Sequence, residues 1–435
     1  MKAIFEDRVA KGTVRGRDGV SVHAIRADLD AVTRYVSVRC RAGSYQFTTY
    51  RPRLLLKGAG KPPREISIPT VRDRIALRAL TELLAETFPN CVGKLPQTEV
   101  AAVAKDLDAG NFDSFVRIDV KNFYPSIDHE VLLRELATRI RSRAILRVVR
   151  RAIATPTAPD RSARPTALLS AGVPQGLSIS NPLAEIYMRS VDTTMASMSN
   201  VSYHRFVDDI LVLCQASDAQ AIDDACRLAL GAIKLSAHPS MAAGKSEIGL
   251  IADGFTYLGY TFSSAHVSVR LSSIVRLESH LASIYAKWRQ EREGDAVSAD
   301  TALRRLIWHR NLAITGCIFQ GVASGWIQYF RQLDDLMLLK RLDATVSRLS
   351  KRYSVPKTPL PKTFMRAYWA IKHPRSRSED YIPNFDLYDV PKMRLELEAM
   401  GITDAMGTDQ QVQDKFFRIV SRAVRDLEHD IGDVS

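Results

Sequence analysis

The sequence predicts an α+β fold, with an antiparallel sheet in roughly the first 260 residues and a helical region behind it. Three observations predict it. Phe115–Val120 alternates in the way of a strand with Asp119 near its end, and Ser202–Val207 and Ile210–Leu213 read as two strands joined at Asp208-Asp209. Amphipathic helical segments surround these strands and hold the apolar surface a sheet needs. Beyond about Ser264 the texture changes to long segments of helical period, with no convincing strand before about residue 350.

The elements follow in order. From Ser44 to Phe88 the sequence reads as short extended segments around the basic loop Lys57-Gly58-Ala59-Gly60-Lys61-Pro62-Pro63-Arg64, then a helix with Ile75, Leu77, Leu80 and Leu84 on one side. In Phe115–Val120, the residues Val116, Ile118 and Val120 share a face and leave Asp119 on the other, near the strand end. A helix is expected from about His129 to Ile153, with five arginines from Arg139 to Arg150 read as a nucleic-acid backbone track. Ser202–Val207 and Ile210–Leu213 read as a hairpin with Asp208 and Asp209 at its tip, and adjacent carboxylates there call for a cation. Asp218–Leu235 reads as helix and Gly254–Phe262 as a second hairpin. The ladder Trp326, Tyr329, Phe330, Leu333, Leu336, Met337, Leu339 has helical period, and Asp334-Asp335 are read on its solvated face. A Pro/Lys-rich linker, Tyr353–Lys362, precedes a tail ending in a helix through Val412, Phe416, Val420, Leu427 and Ile431.

Composition narrows the classes. The chain of 435 residues, 46% hydrophobic and 25% charged, is large enough for several cores. A net charge of +13 favours a polyanionic partner. The five cysteines are scattered and never spaced as CxxC, which excludes a disulfide framework or structural zinc and points to the cytoplasm. No secretory leader is legible at Met1–Arg8, and the uncharged stretches Pro165–Ala184 and Asn311–Phe330 are too polar to span a membrane. The histidines form no close metal-binding pair, and Pro239 sits where a Walker loop ending in Gly244-Lys245-Ser246 needs glycine.

Several segments, in order, resemble the reverse transcriptase family. Phe115–Ile127 is similar to its first catalytic motif, Gly172-Val173-Pro174-Gln175-Gly176-Leu177-Ser178 to its PQG motif, and Arg205-Phe206-Val207-Asp208-Asp209 to its Y/F-x-D-D motif, with Phe206 replacing the more usual tyrosine. Tyr257-Leu258-Gly259-Tyr260 resembles the primer-grip hairpin. Within the family, Phe123–Ile127, Gln175–Ala184 and Pro63–Thr70 resemble bacterial antiphage, abortive-infection or defence-associated enzymes.

The resemblance implies a right-hand polymerase: an N-terminal segment and fingers over 1–110, a palm over 111–263 interleaved with fingers elements, a helical thumb over 264–350, and a linker with helical extension over 351–435. Asp119, Asp208 and Asp209 would be catalytic, Asp209 at the edge, and with the Val120 carbonyl would hold two Mg²⁺ ions, replaceable by Mn²⁺, roughly 4 Å apart. Tyr124 would exclude a 2′-hydroxyl, and Gln175 and Gly176 would line the nucleotide pocket. Arg64, Lys245, Lys61 and Lys57 would meet the triphosphate, and Tyr257, Leu258 and Gly259 the primer. The implied partners are an RNA template (a dedicated non-coding RNA among the candidates), the DNA product and dNTPs, with no membrane and the oligomeric state open. Alternatives left open are template-free synthesis, protein-primed synthesis from a tyrosine such as Tyr353 or Tyr381, a retron- or intron-associated enzyme, and a non-catalytic RNA-binding scaffold.

Overall fold

The computed structural model describes residues 1–435 except 11, 13, 56–61, 159–167, 241–244, 264–265, 295–296, 357–359, 374–380, 403–406 and 432–435. The chain divides into two compact units, residues 1–95 with 109–250 and residues 96–108 with 251–434.

The first unit is built on a four-stranded antiparallel sheet. Its strands are β3 (Ser114–Asp119), β4 (Ser202–Phe206), β5 (Asp209–Cys214) and β6 (Glu247–Leu250), in the order β4-β5-β3-β6. A separate hairpin pairs β1 (Arg51–Leu55) with β2 (Arg64–Ile68). As the alternation predicts, Val116, Ile118 and Val120 are buried, in one core with Tyr187, Met188 and Val191 of the helix Ser180–Ala196 and with Ile222 and Cys226 of the helix Ala219–Ala232. Strand β5 is buried along its whole length, so its apolar run marks a central strand.

The second unit holds β7 (Phe255–Tyr257), β8 (Tyr260–Phe262) and β9 (Val267–Val269) as one meander and β10 (Cys317–Phe319) with β11 (Val322–Ser324) as a hairpin. Its helices Leu271–Glu293, Ala299–Thr315, Leu336–Arg352 and Asp409–Ile431 bury Leu277, Leu306, Leu342 and Val420. No helix among the described residues is long and apolar enough to cross a membrane.

Four sequence expectations need correction. The helix read over 129–153 is two helices, His129–Ala137 and Arg143–Ala154, because Ser142 caps the second through its side chain. Strands β9, β10 and β11 lie in the region expected to be helical; three residues each are too few to show alternation. The ladder from Trp326 breaks after Tyr329 and resumes at Leu336. Asp334 and Asp335 are therefore not on a helix: Asp334 accepts from Val267 N–H at 2.8 Å, and Asp335 caps the following helix at Leu338 N–H, 3.0 Å.

The arginines read as a backbone track are partly committed. Arg139 donates to Thr87 O at 3.0 Å, Arg147 to Ala42 O at 3.4 Å and Arg150 to Glu130 at 2.8 Å. These bonds staple helices together.

Candidate active site

The carboxylates are gathered by strand register. In the β3–β5 ladder Asp119 stands directly opposite Asp209, and Asp208 is in the turn between β4 and β5. Asp209 is thus the first residue of a strand rather than part of the tip, and only Val207 and Asp208 form the two-residue turn. Like charges facing across a ladder destabilise it unless a cation intervenes.

Each carboxylate has a different answer. Asp209 is buried and grips Arg117, two residues before Asp119 on the same strand face, with Nε to Oδ1 and an N–H of the guanidinium to Oδ2 both at 3.1 Å. Burial pushes the Asp209 carboxyl up while Arg117 pulls it down; at Arg117 burial works against the charge and Asp209 more than offsets it. The bidentate geometry decides for an ion pair. Asp119 Oδ2 is buried without a well-aligned hydrogen bond, and its neighbours are Lys245 Nζ at 2.6 Å and His238 Nε2 at 3.7 Å. The Asp208 carboxyl is pushed up to about 6 by burial and then by Asp209 and Asp119.

A cation therefore suits Asp119 and Asp208. Asp119 has only a half-exposed lysine to displace, Asp208 is costly to ionise without a positive neighbour, and Asp209 is already occupied. The bridge between Val120 and Ala237 is closed by Lys121 N–H to Ser236 O at 2.8 Å and His238 N–H to Asp119 O at 2.9 Å, so the Val120 carbonyl takes no part in it. Among the described residues no group of three His, Cys, Asp or Glu side chains is arranged to hold a metal ion.

Beside the carboxylates, the β1–β2 hairpin meets the loop Gly172–Ser178 that carries the PQG motif. Ser67 N–H on β2 donates to Gln175 O at 2.7 Å. Gly176 has φ +94°, and a Cβ there would lie 2.5 Å from Ile66 Cγ2, so only glycine permits this approach. Arg64 opens β2; its Nε is buried and unpartnered, and its charge acts on both Asp208 and Tyr124. Tyr124 donates to Asn181 Oδ1 at 2.8 Å, and burial, followed by Asp208, raises its hydroxyl to about 12. The structure thus brings Asp119, Asp208, Asp209, Arg64, Tyr124, Gln175, Gly176 and Lys245 into one unit. Lys57 and Lys61 lie outside the described residues.

Tyr257, Leu258 and Gly259 belong to the second unit, in the tight turn between β7 and β8, with φ +48° at Leu258 and +81° at Gly259. Tyr257, Leu258 and Gly259 are all buried, and the carbonyls of Leu258 and Gly259 accept from Tyr329 OH at 3.1 Å and Arg270 N–H at 3.0 Å, so the turn is packed into the core of its unit.

Two residues that matter here were seen only as letters inside motifs. Arg117 is the counter-ion of Asp209, and Arg205 is held by Glu185 and Asp192. A signal for the first existed: an arginine two residues before an aspartate shares its strand face.

Residues 56–262, just under half of the chain, match the family model for "Reverse transcriptase (RNA-dependent DNA polymerase)". This span is a reverse transcriptase domain, and its enzyme class is nucleotidyltransferase, RNA-directed DNA polymerase. No curated protein matches the chain. Among solved structures, telomerase from Candida albicans in complex with a TWJ fragment of telomeric RNA aligns over 93% of this chain and 68% of that chain, at 12% identity and a TM-score of 0.43.

Proposed function

We propose that this chain copies an RNA template into DNA, Asp119 and Asp208 holding two Mg²⁺ ions at the strand ends. The observation that carries the reading is the division of labour among three aspartates: Asp209 is neutralised by Arg117, Asp119 faces the exchangeable Lys245, and Asp208 stays raised despite the charge of Arg64. The ions supply charge neutralisation and an activated 3′-oxygen. Arg64 and Lys245 meet the triphosphate, and Lys245 leaves Asp119 to do so. Tyr124 lies beneath the sugar and selects deoxynucleotides, while Gln175 and Gly176 line the pocket. The turn Tyr257, Leu258 and Gly259 is assigned to the primer on the motif resemblance. In this reading the first unit carries most of fingers and palm, and the second carries the thumb and extension together with residues 96–108 and 251–263.

A polyanionic partner is supported by a second feature of the first unit. Val14, Arg15, Arg51, Pro52, Arg53 and Ile68 line a groove of about 610 Å³, and Arg8, Arg74 and Arg78 line a smaller cavity beside it. None of these six arginines pairs with a carboxylate among the described residues. Gly16 brings the N-terminal segment onto Thr70, where a Cβ would meet the backbone at 2.5 Å, and Arg74 donates to Val14 O at 2.6 Å. Template phosphates fit this surface.

The biological reading is antiphage defence with a non-coding RNA template, carried by the motif resemblance. Protein priming from Tyr381 is disfavoured, because its hydroxyl is engaged by Thr363 N–H at 2.7 Å.

The test is to purify the chain with its bound nucleic acid, sequence that nucleic acid, and measure Mg²⁺-dependent dNTP incorporation. Asp119→Asn and Asp208→Asn should each abolish it; incorporation at the parental rate by either would defeat the metal assignment. Expressed in a phage-sensitive bacterium, the parent should lower plaque counts and Asp208→Asn should not.

A further inference from the structure

The turn that presents Asp208 is not of a kind its sequence favours. Phe206 and Asp209 pair across the hairpin, so Val207 and Asp208 are its two central residues. Val207 has φ +56° and Asp208 does not have positive φ. Positive φ at the first central residue alone is the type II′ pattern, in which that position wants glycine. A β-branched residue in left-handed backbone is a strained exception. Strain of this kind persists only where surrounding structure determines it.

The determinant is Arg205. One terminal nitrogen donates to Val207 O at 2.8 Å, across the turn's own mouth. The guanidinium is itself immobilised: it meets Glu185 at 2.7 and 3.3 Å and Asp192 at 2.7 Å through two separate N–H groups. Tyr203 OH adds a further hold on Asp192 at 2.8 Å. Glu185 and Asp192 are seven apart on one helix face, so a single rigid helix supplies both clamps.

The carbonyl of Val207 belongs to the same planar peptide as the N–H of Asp208. Types II′ and I′ differ by a flip of that central peptide, and the flipped form gives the second residue positive φ as well. We infer that Arg205 is a positioning residue that locks the Val207–Asp208 peptide in one orientation and so aims the Asp208 carboxylate at the cation shared with Asp119. This rests on the reading of Asp119 and Asp208 as the metal-binding pair, and it adds Glu185, Asp192 and Arg205 to the set on which the reaction rate depends. Arg205 touches no substrate in this account.

The test is a double-mutant cycle between Arg205→Lys and Val207→Gly. Lysine keeps the charge between Glu185 and Asp192 but cannot fork to Val207 O as well. Arg205→Lys should lower kcat for dNTP incorporation by about a hundredfold, the scale of an ångström of misplacement, with little change in the KM for dNTP. In the Val207→Gly background, where the turn no longer needs a splint, the same substitution should cost about tenfold or less. An equal loss in both backgrounds, or a loss confined to KM, would overturn the inference. If Arg205→Lys fails to melt cooperatively, Asp192→Asn loosens the same clamp, and its kcat loss must likewise shrink when Val207 is glycine. Should the parent prove inactive, the polymerase reading fails by itself. The cycle is then read by Mn²⁺ calorimetry with Asp208→Asn as blank, and an affinity unmoved by Arg205→Lys rejects the splint.

Discussion

Asp208 pays for its position in ionisation. Its carboxyl titrates near 6 in the folded chain against 3.8 for the free side chain, so the folded state binds the proton more tightly than the unfolded state. The penalty is absent below about pH 4, grows between 4 and 6, and is complete above 6. Asp208→Asn should therefore raise the thermal midpoint at pH 7.5, by the equivalent of up to about 3 kcal/mol, and the gain should vanish at pH 4. A midpoint unchanged at both values would remove the burial argument. On the proposed metal assignment the same group sets a lower pH limit: incorporation should fall as pH drops through about 6, and raising Mg²⁺ should push that limb to lower pH, because cation and proton would compete for one carboxylate. Asp209 behaves differently. Arg117→Met leaves its buried charge unpaired and should cost about 3–5 kcal/mol of stability, seen in chemical denaturation. The aspartates themselves were legible in the sequence because motif order identifies them. The sequence reading also set Asp209 at the edge, but its pairing with Arg117 was not legible, since that depends on a side chain crossing the ladder.

At the scale of elements, what the sequence hid was short or capped. Strands β10 and β11 have three residues each, and Ser142 and Asp335 start helices inside runs whose apolar period continues through the break. Periodicity integrates over a window longer than these features, whereas a cap is a single side chain. Where the run was long the reading held: the helix Asp409–Ile431 buries Val412, Phe416, Val420, Leu427 and Ile431 as its ladder predicts. The PQG loop shows how a motif letter becomes geometry. Gly176 is needed by its φ of +94° and by Ile66, which a Cβ would meet at 2.5 Å. Gly176→Ala should push β2 and Arg64 away from Gln175, lowering stability by about 1–2 kcal/mol and raising the KM for dNTP more than it lowers kcat. An unchanged KM would separate this loop from the nucleotide pocket.

For the molecule as a whole, folding gathers part of the excess charge into one cluster. The sequence offered +13 and an arginine-rich helix as the footprint of a nucleic acid, but several of that helix's arginines staple neighbouring segments. A second group of arginines with no carboxylate partner among the described residues lies on β1, on the helix Val71–Thr87 and on the N-terminal segment, three pieces of chain that no local pattern joins. Only folding brings Arg15 beside Arg51 and Arg53. Arg51 and Arg53 are two apart on one strand face, roughly 7 Å along it, so they can take neighbouring phosphates of a single strand. Replacing Arg15, Arg51 and Arg53 together by alanine should then weaken binding of a single-stranded RNA about equally for different sequences, since the phosphates carry no base information. It should also flatten the dependence of log K on log salt by about 2, near 0.7 for each phosphate of a single strand that is no longer neutralised. Measured by fluorescence anisotropy in EDTA, with Asp208→Asn in both proteins, the slope reports the strand path without any contribution from catalysis. A slope equal to the parent's would place the template on a different face of the unit.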